Sequence, residues 1–131
     1  MAQKILIIDD EKVFVDSLKT ALESEGYIVV AANDGDEGIA RAKNEKPDLI
    51  ICDMRMPKKD GHEVLRAIKE GKDRWFPFIM LTAFGEFDSA KKAYDDECDL
   101  YLTKPVELPV LLHNIKTLLN LAKHTPKEKP D

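Results

Sequence analysis

Short continuous apolar runs, each ending in charge, constrain this chain more than any other feature. Leu49-Ile50-Ile51-Cys52 runs into Asp53, and Lys4-Ile5-Leu6-Ile7-Ile8 runs into Asp9-Asp10-Glu11. Each run is too short for a helix and lacks the apolar-polar alternation of a half-exposed strand. Each therefore reads as a strand covered on both faces, the pattern of a parallel sheet between helices. Ligands of open α/β sheets gather at the carboxyl ends of such strands, so Asp53 stands where chemistry is expected.

Between these runs the spacing becomes helical. Phe14, Val15, Leu18, Ala21 and Leu22 recur at helical intervals before Gly26, which suits a left-handed closing residue, and predict a helix over 11–25. A second strand is expected over 27–31, then a turn at Asn33-Asp34-Gly35, a helix over 36–44 and a third strand over 48–52. Asp60 can cap a helix reaching Lys69, with Val64, Leu65 and Ile68 inward. Residues 78–82 read as a fourth strand, 86–95 as a weak helix, and 100–102 as a short fifth strand stopped by Lys104-Pro105. The last helix, 108–123, accommodates Pro109 in its first turn and carries a core stripe of Leu108, Leu111, Leu112, Ile115, Leu118, Leu119 and Ala122. Val110 and Leu121 fall on its opposite side, as an apolar contact surface or as scattered surface hydrophobes. Strands alternating with helices in this way specify an α/β fold, a parallel sheet with helices on both faces and right-handed crossovers.

The length of 131 residues suits one domain, and a hydrophobic content of 44% suits an ordinary core. A net charge of −5 argues against a broad nucleic-acid or membrane footprint, because phosphate backbones demand clustered positive charge. Cys52 and Cys98 show no metal-ligand spacing and read as free thiols of a reducing compartment. No apolar stretch approaches membrane-spanning length, and Met1 to Lys4 leads straight into a strand with no room for a signal peptide. A cytoplasmic location is expected. His62 and His113 lack partner spacing and read as surface residues.

In a parallel sheet the residues just after the strands meet at one edge. Here they are Asp9 and Asp10, Asp53, Thr82 and Lys104. Three crowded carboxylates raise one another's pKa unless a cation neutralises them, and hard oxygens suit magnesium. Lys104 contributes a mobile point charge and Thr82 a hydroxyl, donors suited to a phosphoryl group. The set is built for phosphate chemistry on a carboxylate. Taken singly, Asp9-Asp10 would more often cap a helix, and Thr82, Tyr101 and Lys104 would be strand packing or surface charge; they gain weight only with Asp53.

At these residues the chain resembles the receiver domain of two-component response regulators, the family that includes the chemotaxis regulator of the flagellar motor. The pattern comprises Asp9-Asp10, Asp53 with Met56-Pro57 and Asp60-Gly61, Thr82-Ala83, and Lys104-Pro105, in that order. The resemblance implies a (βα)5 doubly wound, flavodoxin-like sheet of order 2-1-3-4-5, a receiver domain over 1–123, and a flexible tail or linker stub over 124–131. It implies that Asp53 accepts a phosphoryl group from a sensor histidine kinase or phosphotransfer protein. Mg2+ (or Mn2+) would be held by Asp10, Asp53 and the backbone carbonyl of Arg55, with Asp9 acting mostly through water. Lys104 would pair with the phosphoryl group and Thr82 would swing to it. Tyr101 would turn inward, remodelling the face made by the helix over 86–95, the fifth strand and the last helix. A cis bond at Lys104-Pro105 is expected, and Arg55 and Phe84 would tune dephosphorylation. Such a domain is not an enzyme beyond self-catalysed phosphotransfer and dephosphorylation. Its partners would be the kinase and either a downstream protein or an output domain outside these residues. A homodimer formed on phosphorylation is also admitted by the resemblance. Glu97 stands where the family most often has glycine, and Lys59 where it is usually apolar.

Other classes fit less well. A phosphohydrolase of the haloacid dehalogenase type needs a second Asp two residues beyond the nucleophile, where this chain has Arg55. A flavodoxin needs a phosphate-binding loop after strand one, where Asp9-Asp10-Glu11 would repel phosphate. An unphosphorylated interaction module is disfavoured by the complete acid, threonine and lysine set.

Overall fold

The apolar runs form β1 (Lys4–Ile8), β2 (Ile28–Ala32), β3 (Leu49–Asp53), β4 (Phe78–Ala83) and β5 (Leu100–Lys104). Between and after them lie α1 (Lys12–Ser24), α2 (Gly35–Glu45), α3 (Gly61–Lys69) and α4 (Leu108–Lys123). The structure, a computed structural model, describes residues 2–70, 76–83 and 98–123. The helix expected over 86–95, together with Phe84, Glu97 and the tail over 124–131, lies outside the described residues.

All strand pairings are parallel, in the order β2-β1-β3-β4-β5. Each strand buries alternate side chains in opposite layers, which is why its sequence shows no polar face. Ile5, Ile7, Leu49, Ile51, Ile79 and Leu81 pack with Val15, Leu18 and Leu22 of α1 and with Leu111, Ile115 and Leu119 of α4. Leu6, Ile8, Ile50, Cys52, Phe78 and Met80 face the other way, against Ala42 of α2 and Val64, Leu65 and Ile68 of α3. Both cysteines are free and buried. The doubly wound α/β fold expected from the sequence is the one observed.

Two aspartates set the register at the amino edge. Asp48 Oδ2 accepts a 2.7 Å hydrogen bond from the amide of Lys4, and Asp99 Oδ2 accepts one of 2.7 Å from the amide of Phe78. Each stands just before its own strand and satisfies the first amide of a neighbouring strand, a group otherwise left without a ladder partner.

Some local expectations need correction. The fifth strand extends to Lys104 rather than stopping at Leu102, so the lysine belongs to the sheet. The second strand begins at Ile28 rather than Tyr27, because Gly26 (φ 96) reverses the chain and the Tyr27 amide donates back to the Leu22 carbonyl. His62 is buried at 4% exposure, not a surface residue; it stands three residues before Leu65, on the inward side of α3. Leu108 remains 39% exposed. Its helical angle suits the core stripe, but residues 108–110 of the first turn of α4 are all exposed. Val110 and Leu121 are exposed, as their angle predicted.

Candidate functional site

Asp53 is the last residue of β3 and continues the column of Leu49 and Ile51, so strand alternation aims it over the layer of α1 and α4. Lys104 continues the column of Leu100 and Leu102 on β5 in the same way. Asp9 follows the column of Ile5 and Ile7 immediately after β1. Three distant segments thus deliver charge to one corner of the carboxyl edge.

The corner is tightly paired. Asp9, 1% exposed, accepts from the Glu11 amide through Oδ1 at 2.9 Å and from Lys104 Nζ through Oδ2 at 2.9 Å. Lys104 Nζ also donates to Glu11 Oε1 at 2.8 Å and lies 3.5 Å from Asp53 Oδ2. The Phe14 ring centroid lies 4.7 Å from the same ammonium, a cation–π contact. One carboxylate oxygen each from Asp9, Asp10 and Asp53 fall within 4.8 Å of one another. Asp10 is exposed, whereas Asp9 and Asp53 are buried.

Burial pushes the Asp53 carboxyl up to about 6, and repulsion from Asp9 and Asp10 adds to it; Lys104 and the Arg55 amide oppose the shift. Asp9 is raised by burial, offset in part by its hydrogen bonds from the Glu11 backbone and Lys104. Burial disfavours the charge on Lys104, but hydrogen bonds to Glu11 and Asp9 and the charge of Asp53 outweigh it and hold the ammonium above the ordinary lysine value. Among the described residues, the site therefore holds negative charge that Lys104 only partly compensates.

The loop beyond Asp53 is pinned from both sides. The Met54 amide donates to the Leu81 carbonyl at 2.8 Å, and the Gly61 amide donates to the Met54 carbonyl at 2.8 Å. Between them the Lys59 amide donates to the Pro57 carbonyl at 2.9 Å around Lys58, whose φ of 71 is that of a strained γ-turn. The loop ends in a capping box: Asp60 accepts from the Glu63 amide at 3.0 Å, and Glu63 accepts from the Asp60 amide at 3.2 Å. Lys59 pairs with Asp36 at 3.4 Å.

Thr82 and Tyr101 occupy the opposite face. Thr82 follows Met80 in alternation along β4 and is buried, its hydroxyl donating to the Ala83 carbonyl at 3.4 Å. Tyr101 is half-buried against the layer of α2 and α3 and pairs in register with Met80. The two residues therefore lie diagonally on one face of adjacent strands. Arg55 is exposed, and the Lys104-Pro105 peptide is cis.

A family model described as the response regulator receiver domain matches residues 5–116. The chain belongs to that family. This receiver domain is 40% identical over 119 residues to the alkaline phosphatase synthesis transcriptional regulatory protein PhoP of Bacillus subtilis, covering 91% of this chain and 49% of that one. It is 36% identical over 125 residues to the DNA-binding dual master transcriptional regulator RpaA of Synechocystis, covering 95% of this chain and 52% of that one. The chain thus spans about half the length of these relatives. Among solved structures, a response regulator receiver domain protein from Clostridium thermocellum superimposes with a TM-score of 0.85 at 34% identity, covering 95% of this chain and 98% of that one. A CheY-like receiver domain protein from Methanospirillum hungatei superimposes equally, at a TM-score of 0.85 and 31% identity, with the same coverage. A receiver domain is a signalling module of two-component systems rather than a conventional enzyme. Among the described residues no helix is long and apolar enough to cross a membrane.

Two participants escaped sequence reasoning. Glu11 read as the start of a helix and Phe14 as core, yet both contact Lys104. The available signal was positional: Glu11 directly follows the acidic pair, and Phe14 lies one helical turn further on.

Proposed function

We propose that residues 1–123 form the phosphoacceptor domain of a two-component relay, with Asp53 as the acceptor. The observation that carries this reading is the buried Asp53 carboxylate at the end of the central strand, within 3.5 Å of the Lys104 ammonium and beside Asp9 and Asp10. Asp53 attacks the phosphorus of a phosphohistidine on a sensor histidine kinase or phosphotransfer protein. A P–O bond forms as the P–N bond breaks, and the released imidazole takes up a proton. Lys104 and the edge amides bind the transferred oxygens.

The donor set fits Mg2+ or Mn2+: clustered hard oxygens whose negative charge Lys104 only partly offsets. Asp10, Asp53 and the Arg55 carbonyl would hold the ion, with Asp9 acting mostly through water because both its oxygens are already engaged. When bound, such an ion offsets charge on the transferring phosphoryl group.

Thr82 then rotates its hydroxyl toward the new phosphoryl oxygens and vacates space on the face it shares with Tyr101. Tyr101 turns inward, and the surface of β5 and α4 changes. The phosphoryl group favours this state only through its differential contacts there, as any population shift requires. The relatives' names tie domains of this kind to transcriptional control, so the reader of that surface is a downstream protein or an output domain. Arg55 and Phe84, two positions beyond Asp53 and Thr82 in the sequence, slow the loss of the phosphoryl group to water.

Intact mass after incubation with acetyl phosphate, with and without magnesium, tests the assignment. The expected result is a magnesium-dependent gain of one phosphoryl group that Asp53→Asn abolishes. No gain in any condition overturns it in favour of an interaction module.

A further inference from the structure

We propose that Glu11 is a positioning residue that holds the Lys104 ammonium on the α1 side of the site until a phosphoryl group on Asp53 displaces it. The inference rests on the phosphoacceptor reading above and adds a competitor for its lysine.

An ammonium has three N–H donors. Glu11 at 2.8 Å and Asp9 at 2.9 Å take two of them at full hydrogen-bond distance, and the Phe14 ring covers the group at 4.7 Å. Asp53, at 3.5 Å, is an ion-pair neighbour rather than a close acceptor. Lys104 is thus drawn toward β1 and α1 and away from the carboxylate it is to serve.

The two holding bonds are not alike. Asp9 is buried and locked by the Glu11 amide, so its grip on Lys104 is part of the sheet edge. The Glu11 side chain is 62% exposed. It occupies the N-cap position of α1 but makes no side-chain cap bond there, leaving its carboxylate to Lys104. The Lys104 end of this pair is only 17% exposed, but on release the Glu11 carboxylate returns to water, an exit that the buried Asp9 lacks. The Glu11 bond is therefore the one exchanged when phosphoryl oxygens, carrying more charge, appear on Asp53. Until then Glu11 lowers the share of molecules in which Lys104 is free to meet an incoming phosphoryl group.

The test has two arms. In the first, 15N NMR of the lysine ammonium groups is recorded with no phosphodonor present. A slowly exchanging Lys104 Nζ signal is expected in the native protein, weakened in Glu11→Gln and retained in Glu11→Asp. In the second, phosphorylation by acetyl phosphate with magnesium is timed for the native protein, Glu11→Gln, and the same change in a Lys104→Met background. Glu11→Gln is expected to speed phosphorylation about three- to tenfold, and to change nothing once Lys104 is gone, since coupled residues do not add. Glu25→Gln removes the same charge from the exposed pair with Lys116, 3.1 Å apart, and is expected to leave the rate unchanged.

An equal acceleration in the Lys104→Met background means simple repulsion of the donor and overturns the proposal. So does an unchanged or slower Glu11→Gln rate, or an Nζ signal indifferent to Glu11. Should the Lys104→Met background take no label, the Nζ arm decides. A native protein that is never phosphorylated sinks the phosphoacceptor reading instead, while the Nζ arm still reports whether Glu11 holds Lys104.

Discussion

Lys104 Nζ lies 2.9 Å from Oδ2 of Asp9, a pair 95 residues apart in sequence that reaches across β3 and β4 from one side of the site to the other. The ammonium is the only described cation bonded to that carboxylate, and it also faces Asp53. Removing it leaves two buried acids facing each other. Lys104→Met is expected to cost roughly 1–3 kcal/mol at pH 8, below the range for a fully buried pair because the site opens to solvent. The loss should shrink as the pH falls below 6 and Asp53 takes up a proton. Urea unfolding at pH 8 and pH 5 measures it, and a cost identical at both would mean that lost packing, not charge, is responsible.

Asp53 should destabilise the fold when ionised. Its native pKa is raised from 3.8 to about 6, so between those values the native state binds more protons than the unfolded chain. Stability therefore falls as the pH rises through that window, and the full penalty persists above it. Asp53→Asn is expected to be more stable than the native protein at pH 8 by at most about 3 kcal/mol. The advantage should fade toward pH 4. A gain independent of pH would contradict this account.

Magnesium should raise the melting temperature, because an ion that binds only the folded site stabilises it by mass action, ~2.7 kcal/mol at a hundredfold excess over Kd. Asp10→Asn is expected to blunt the increase, while Glu63→Gln, in the capping box of α3, leaves it intact. The increase should be smaller at pH 5, where protons compete for Asp53. Thermal melts with and without the ion, at both pH values, are the measurement.

Gly61 lets α3 approach the ends of β3 and β4. A Cβ there would meet Met80 Sδ and come within 2.9 Å of the Asp53 carbonyl oxygen. Gly61→Ala is expected to cost about 1–3 kcal/mol through overpacking and to shift the amide resonances of Asp53 and Met54. Gly26→Ala should cost comparably little, about 1 kcal/mol, and leave those resonances in place, since its site is open and only its φ of 96 resists a side chain. Denaturation midpoints and an amide correlation spectrum separate the two causes.

Much of this protein was determined by the sequence itself. The apolar runs at Ile5–Ile8, Leu49–Cys52 and Phe78–Leu81 had no polar face, so they had to lie between two layers of helix, and a parallel sheet followed. That topology alone sent Asp9, Asp53 and Lys104 to one edge. The Asp60 cap and the Gly26 reversal were equally legible, because they depend on bonds between near neighbours.

What only the tertiary structure decided is which of those charges touch. Sequence spacing could not give Lys104 to Glu11 and Phe14, or set Asp53 further from it than Asp9, because such distances depend on strand tilt, crossover packing and the extra length of β5. His62 was misplaced for the same reason: its burial comes from what α3 packs against. Local propensity is a property of neighbours in the chain, whereas charge pairing and burial are properties of neighbours in space.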